Sequence, residues 1–412
     1  MRRDAKVIGL FLLAVVGIAV AVLVVRGLVG RVETDQRQVQ LAAFYTPPTP
    51  LPQQPGTLIR SERLDVAVPG ATAYRILYVS QRADGTPAVS GGMIFVPTAP
   101  APSGGRPVVA WAHGTLGQGD ACAPSRSGNP LQDTANWLDQ MLSFGWVVVS
   151  TDYAGLGTPG PNMYLVAQDE ARDVVNSVRA ARGFAGADAG PRFAVWGHSQ
   201  GGHSSLWTGH LAATLAPELT LVGVSAAAPA AELAPITTAQ WSTVVGWVIG
   251  PEILVSWPLA YPGLPVDGVV SRDGRENYER LAAQCVLPTA IEGYAREAFQ
   301  QTFFTEDPSK DPAWRHATQD QTVPVMPASM PVFLAQGTAD AVVLPGPNAL
   351  LQQQWCAAGS TLTALWMGGV NHDDAAVDAG PSAVAWIADR FAGRPAVRTC
   401  DVPPPVPPSS AG

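Results

Sequence analysis

The stretch RFAVWGHSQGGHSSL, Arg192 to Leu206, places a serine between glycines where one kind of periodicity gives way to another. Arg192–Trp196 reads as a buried strand, and from Gln200 onward the chain reads as a helix, so Ser199 stands at the junction with no residues left over for a loop. A strand that turns at once into a helix forces its corner residue into a strained backbone conformation. Gly197 and Gly201, two residues either side, leave room for neighbouring elements that a side chain would block. The outcome is a hydroxyl held up at the carboxyl edge of a sheet, a nucleophile elbow. The pentapeptide G-x-S-x-G is common by chance, and its placement between strand and helix is what makes it specific. Without that placement it would be a Gly/Ser-rich helix start with no chemistry.

Working outward from the elbow, strand-like and helix-like runs alternate. A hairpin turning near Asp84-Gly85 is followed by PVVAWA, a helix from about Leu131 to Phe144, WVVVSTDY, a helix from about Asp169 to Arg182, and RFAVWG. Next come a helix from about Gln200 to Leu215 and LTLVGVSAA; after a gap, PVFLAQG, a helix from about Asn348 to Ala358, LTALWM and a helix from about Pro381 to Phe391. This order predicts an α/β fold with a mostly parallel central sheet and helices on both faces. The gap, residues 231–328, is too long for a structureless loop and predicts a folded insertion, a cap, carrying Trp241, Trp247 and Trp257. It divides the core into 57–230 and 329–400. Proline-rich stretches predict a linker over 31–56 and a disordered tail over 401–412.

A serine hydroxyl needs a base to take its proton and an acid to orient that base, in the chain order Ser, acid, His. Of six histidines, His198 flanks the elbow, His203 and His210 follow on the next helix, and His316 lies in the insertion. After PVFLAQG only His372 remains, in the loop GGVNHDDA. Asp340, in QGTAD at the carboxyl end of that strand, is the expected acid; Asp373 and Asp374 are nearer in sequence but point badly for orienting an adjacent ring, and Asp378 belongs to the start of the last helix. Two donors are expected for an oxyanion: the Gln200 N–H at a helix start, and Thr115 in His113-Gly114-Thr115-Leu116-Gly117, where the donor could shift by a residue or two.

With 14% charged residues, a net charge of −8 and 47% hydrophobics, the composition offers no basic face for nucleic acid. The uncharged run Val7 to Val25, at ~1.5 Å per residue, nearly spans a ~30 Å hydrocarbon layer. Residues 1–30 therefore read as an uncleaved signal-anchor, oriented with the body outside the cell, or else as a removed signal peptide. Cys122, Cys285, Cys356 and Cys400 suit an oxidising space. Of three connectivities, Cys122–Cys285 with Cys356–Cys400 is favoured, because the first ties the insertion to the core and the second clamps the C-terminal segment. Four buried free thiols are the alternative.

WAHGTLGQGDACAPS, VVSTDYAGLGTPG, WGHSQGG, QGTAD and VNHDD occur in that order. Together they give the chain a resemblance, over about residues 60 to 400, to the secretory lipase family of lipase A type within the α/β-hydrolases. The resemblance implies ester hydrolysis, a helical cap over an acyl-binding site, and disulfides consistent with the pairs above. Asp152 and Tyr153 fall in the pattern as strand-end supports. A membrane anchor departs from the usually secreted members. The expected activity is an exported serine hydrolase acting on acyl or lipid esters, with a short-chain esterase, an acyltransferase, or a non-catalytic tethered binding protein as the alternatives. No cofactor or metal is implied, and oligomeric state is not readable.

Overall fold

The computed structural model describes residues 29–410 apart from 133, 135 and 136. The Val7–Val25 run lies outside the described residues, and among those described no helix is long and apolar enough to cross a membrane. The chain divides into a unit ending at Phe44 and a second unit, Tyr45–Gly412. Residues 29–45 are helical (α1), which corrects the expected linker over 31–56. Residues 31–44 contain neither proline nor glycine, and several are good helix formers; the prolines begin only at Pro47.

Among the described residues of the second unit, nine strands form one sheet in the order β1-β2-β3-β5-β4-β6-β7-β8-β9. They are β1 (Leu58–Arg63), β2 (Ala71–Gln81), β3 (Pro87–Pro97), β4 (Arg106–Ala112), β5 (Val147–Thr151), β6 (Ala189–His198), β7 (Thr220–Ala227), β8 (Val332–Gly337) and β9 (Leu362–Met367). Pairing is antiparallel from β1 through β3 to β5, and parallel from β5 to β9. This is the topology of the α/β-hydrolase fold.

Successive side chains of a strand point to opposite faces, and here both faces are covered. Val109, Trp111, Ala194 and Trp196 pack with Trp137, Trp386 and Ile387 on the side of α2 (Leu138–Ser143) and α11 (Ala375–Phe391). Val108, Ala110, Phe193 and Val195 pack with Val174, Val175 and Val178 of α3 (Ala167–Gly183), the side that also holds Ala212 of α4 (Gln200–Leu215). That double burial is why the central strands are apolar throughout.

Two helix boundaries differ from expectation. Backbone bonds from Gln132 to Asn129 and from Thr134 to Leu131 continue the turn begun at Asn129-Pro130, so α2 starts only at Leu138. Pro381, expected at the start of the last helix, lies inside α11. Its missing N–H deprives only the Val377 carbonyl of a helical partner, and Val377 is exposed.

Between β7 and β8 the insertion folds as α5 (Leu233–Gln240), α6 (Val244–Ala260), α7 (Arg272–Ala282), α8 (Val286–Ala298) and α9 (Pro312–Gln321). Trp247, Trp257, Phe303, Phe304 and Trp314 build its core, which also takes in Tyr164, Leu165 and Val343 from the sheet's edge. A disulfide joins Cys122 to Cys285 at the start of α8, beside backbone bonds from Val286 N to Leu116 O and from Gln118 N to Ala282 O. The second disulfide joins Cys356 of α10 (Pro345–Ala357) to Cys400.

The expected disordered tail is also corrected over the residues described. Gln352 donates to the Val402 carbonyl, and Ser409 N donates to Gly346 O. The Cys356–Cys400 link holds the tail's start at α10, and an extended proline-rich strand keeps its carbonyls free to accept.

Candidate active site

Ser199 joins β6 to α4 at φ +56° and ψ −117°, outside the regions open to ordinary residues. Its surroundings explain the glycines. A Cβ on Gly197 would collide with the Gly201 carbonyl, and one on Gly201 with the Ala112 carbonyl of the neighbouring strand. The turn therefore closes only with glycine at both positions.

The three residues expected to act together do meet. Ser199 Oγ lies 2.9 Å from His372 Nε2, and His372 Nδ1 lies 2.8 Å from Asp340 Oδ2. Ser199 donates to Nε2, so the ring's hydrogen sits on Nδ1 and is donated to the carboxylate. Asp340 is held in turn: its Oδ1 accepts from Val342 N and Val343 N, each at 2.9 Å, and its Oδ2 from Gln336 Nε2 at 3.3 Å. Asp373 and Asp374 are exposed, and Asp374 bonds Asn371 at the start of α11. All three members are nearly closed to solvent, Ser199 at 8%, His372 at 9% and Asp340 at 3% exposure.

The remaining expected residues are placed as follows. Gln200 opens α4, where unpaired N–H groups and the helix dipole favour negative charge. Gly114 packs against the elbow, where an added Cβ would come 3.5 Å from Ser199 Cβ. Thr115 follows it, with Oγ1 bonded to Tyr164 OH at 2.7 Å. His210 bonds the Pro324 carbonyl, and His316 is exposed beside Asp320. Asp152 is buried and accepts from Ser125, and its burial raises its pKa.

Two supports were not apparent in the sequence. His198 Nε2 donates to the His372 carbonyl at 2.9 Å, and the two rings meet at a tilt of 41° with centroids 4.7 Å apart. Burial, with His372 beside it, pushes His198 down to about 3, so the ring is neutral above that value. The second is Glu170, which receives the Gln200 side-chain amide at 2.8 Å. The one signal for Glu170 was an acidic residue in the first turn of a helix with apolar neighbours, which the helix dipole accounts for as well.

Above Ser199 opens a cleft. Its walls are apolar, including Leu233, Ile236, Trp241, Ile249, Ile253 and Trp257 of the insertion. Trp247 does not reach it. That ring is fully buried against Phe303 and donates to the Gln301 carbonyl at 3.0 Å.

The chain matches the family model described as secretory lipase over residues 127–399. A relative named "Probable inactive lipase MT1628" of Mycobacterium tuberculosis is 25% identical over 377 residues, 85% of this chain and 82% of the relative. Lipase 10 of Candida albicans is 24% identical over 392 residues, 87% of this chain and 82% of the relative. Among solved structures, Candida antarctica lipase A in its closed state superposes with a TM-score of 0.70 at 18% identity, covering 89% of this chain and 90% of that one. The rice cell wall degrading esterase LipA of Xanthomonas oryzae gives 0.68 at 20% identity, covering 82% and 99%.

Proposed function

The chain belongs to the secretory lipase family, and from that premise we propose that it is an exported serine hydrolase that cleaves acyl or lipid esters through an acyl-enzyme on Ser199. The observation that carries the reading is the unbroken line of hydrogen bonds from Ser199, which lines a mostly apolar cleft, through His372 to Asp340.

In this reading Ser199 Oγ attacks the ester carbonyl carbon while His372 Nε2 takes its proton. Asp340 keeps the ring's other hydrogen on Nδ1 and stabilises the imidazolium that forms. The carbonyl oxygen becomes an oxyanion held by the Gln200 N–H and a donor of the Thr115 loop. His372 then gives its proton to the departing alcohol, and a water molecule repeats the sequence to release the acid. The insertion, residues 231–328, acts as the cap whose apolar wall receives the acyl chain. Residues 1–30 anchor the chain at the membrane or are removed on export.

The test is hydrolysis of esters with C4, C8 and C12 acyl chains below and above the concentration at which substrate forms an interface, together with labelling by a fluorophosphonate. Labelling at Ser199 with turnover supports the reading. A folded protein that neither labels nor turns over any chain length overturns it, and leaves a non-catalytic protein such as the relative named inactive. Faster turnover at the interface selects lipase, and its absence selects esterase. Cell fractionation with N-terminal sequencing separates the two export routes: intact residues 1–30 in membranes mean an anchor, and a new N-terminus near Ala42 means cleavage.

A further inference from the structure

Beneath the elbow lies a buried polar group that none of these steps uses. Glu170, in the first turn of α3, is 2% exposed. Its Oε1 accepts from Leu165 N at 3.0 Å and from Gln200 Nε2 at 2.8 Å. Its Oε2 accepts from Ser204 Oγ at 2.9 Å and faces His203 Nδ1 at 2.8 Å. The other nitrogen of that fully buried ring, Nε2, faces the Gln321 carbonyl oxygen at 2.8 Å.

The hydrogen count follows from these contacts. A carbonyl oxygen only accepts, so His203 Nε2 carries a hydrogen. Nδ1 then meets a carboxyl oxygen at hydrogen-bonding distance, and two facing lone pairs there would repel, so a second hydrogen lies between them. Leu165 N and the Gln200 amide also donate to this carboxyl group, and the Ser204 hydroxyl, shared with the Gln200 carbonyl, faces it; these contacts favour the negative charge on Glu170 and the hydrogen on the imidazole. These contacts call for a hydrogen on each ring nitrogen of His203, with Glu170 as the partner, in a place closed to water.

This pair touches two parts of the site and the insertion together. Gln200 follows the nucleophile, and its side chain is pinned by Glu170, which leaves its N–H to the oxyanion. Leu165, a cleft-lining residue at φ +50°, is fixed by the same carboxylate. Gln321 ends α9; its carbonyl also accepts from Trp207 Nε1, and its side chain accepts from Ala167 N at 2.7 Å.

We propose that Glu170 is a positioning residue: paired with a doubly protonated His203, it fixes Gln200 and Leu165 beside Ser199 and holds the elbow in register with the last helix of the insertion. Glu170 touches no reacting atom. Its effect on rate passes through the oxyanion donor, whose removal outright costs on the order of 10²- to 10³-fold in other serine hydrolases.

Two measurements test this, and only the kinetic one rests on the ester-hydrolase reading. In the first, histidine ring nitrogens of the wild-type protein are observed by ¹⁵N NMR, with the His203 ring assigned through its contact with the Trp207 indole, 6.3 Å away by centroids. Two slowly exchanging ring hydrogens on His203 are expected. A single ring hydrogen there overturns the pair, whatever the protein hydrolyses. In the second, Glu170→Gln keeps shape and removes charge. A kcat lower by roughly 10- to 10²-fold, with KM within about twofold, is expected for a C4 ester. An unchanged kcat in the folded variant, or a loss confined to KM, overturns the positioning role. Should Glu170→Gln not fold, the NMR result decides.

Discussion

Ser199 is held at a positive φ by collisions that only glycine avoids at Gly197 and Gly201, so its hydroxyl is aimed before substrate arrives. Rate in the proposed mechanism therefore depends on single atoms at His372 and Asp340. Ser199→Ala and His372→Ala are each expected to lower turnover by about 10⁴- to 10⁶-fold, and the double variant by little more, because such residues act as a unit. Steady-state kinetics beside a circular dichroism spectrum checks this, and wild-type turnover in either folded variant would end the mechanism. Asp340→Asn has a more particular cost. Asp340 Oδ1 faces two N–H donors, Val342 and Val343, so an asparagine keeps its carbonyl oxygen there and turns its NH₂ toward His372. The ring is then driven to the tautomer that cannot take the Ser199 proton. A loss of roughly 10⁴-fold is expected with binding of ground-state analogues retained, as isothermal titration would show.

At the scale of elements, the insertion divides its tryptophans between two tasks. Trp247 is core, sandwiched between Phe303 and Arg296, whereas Trp241 lies at the cleft and is only part-buried. Trp247→Ala should lower stability by about 3–5 kcal/mol, measured by urea denaturation. Trp241→Ala should leave the denaturation midpoint near wild type and flatten the preference between C4 and C12 esters. An unchanged C12/C4 ratio would place the acyl wall elsewhere. The same contrast explains what the sequence could reveal. The alternation of apolar runs, the glycines at 197 and 201, and the position of His372 after β8 each record a local constraint, so strands, elbow and candidate site were legible. Which face of α6 lines a cleft is set by α5, α8 and α9 packing on it, and no local pattern states that. The helix at residues 29–45 was masked by the prolines that follow it, and the start of α2 by turns that share its polar composition. His198 was read only as a neighbour of the elbow, because its partner is a carbonyl 174 residues away.

For the whole molecule, the buried ionisable groups set how stability follows pH. Burial raises Glu252 to about 8, and Asp173 and Glu232 each to about 7. Once unfolded, these carboxyls return to the ordinary range near 4, so between those values the folded state holds more protons than the unfolded one. Stability then falls as pH rises through this window, and the benefit is complete only below the unfolded values. His198 acts with the opposite sign: folded it titrates at about 3 and unfolded near 6.5, so its cost appears as pH falls below 6.5. Above about pH 4 the three carboxyls outweigh the one histidine, so these groups together make stability fall from there toward pH 8. Glu252 isolates the carboxylate side. It stands in α6 at 3% exposure, burial is what raises its carboxyl, and the Gln118 side chain donates to its backbone carbonyl at 3.0 Å. Glu252→Gln keeps that geometry with no charge to bury, and removes a pH-dependent loss of roughly 4 kcal/mol between pH 5 and 8.5. Urea midpoints at those two pH values should therefore differ less for the variant than for wild type. Equal pH dependence in the two proteins would mean that Glu252 reaches water and carries its charge at neutral pH.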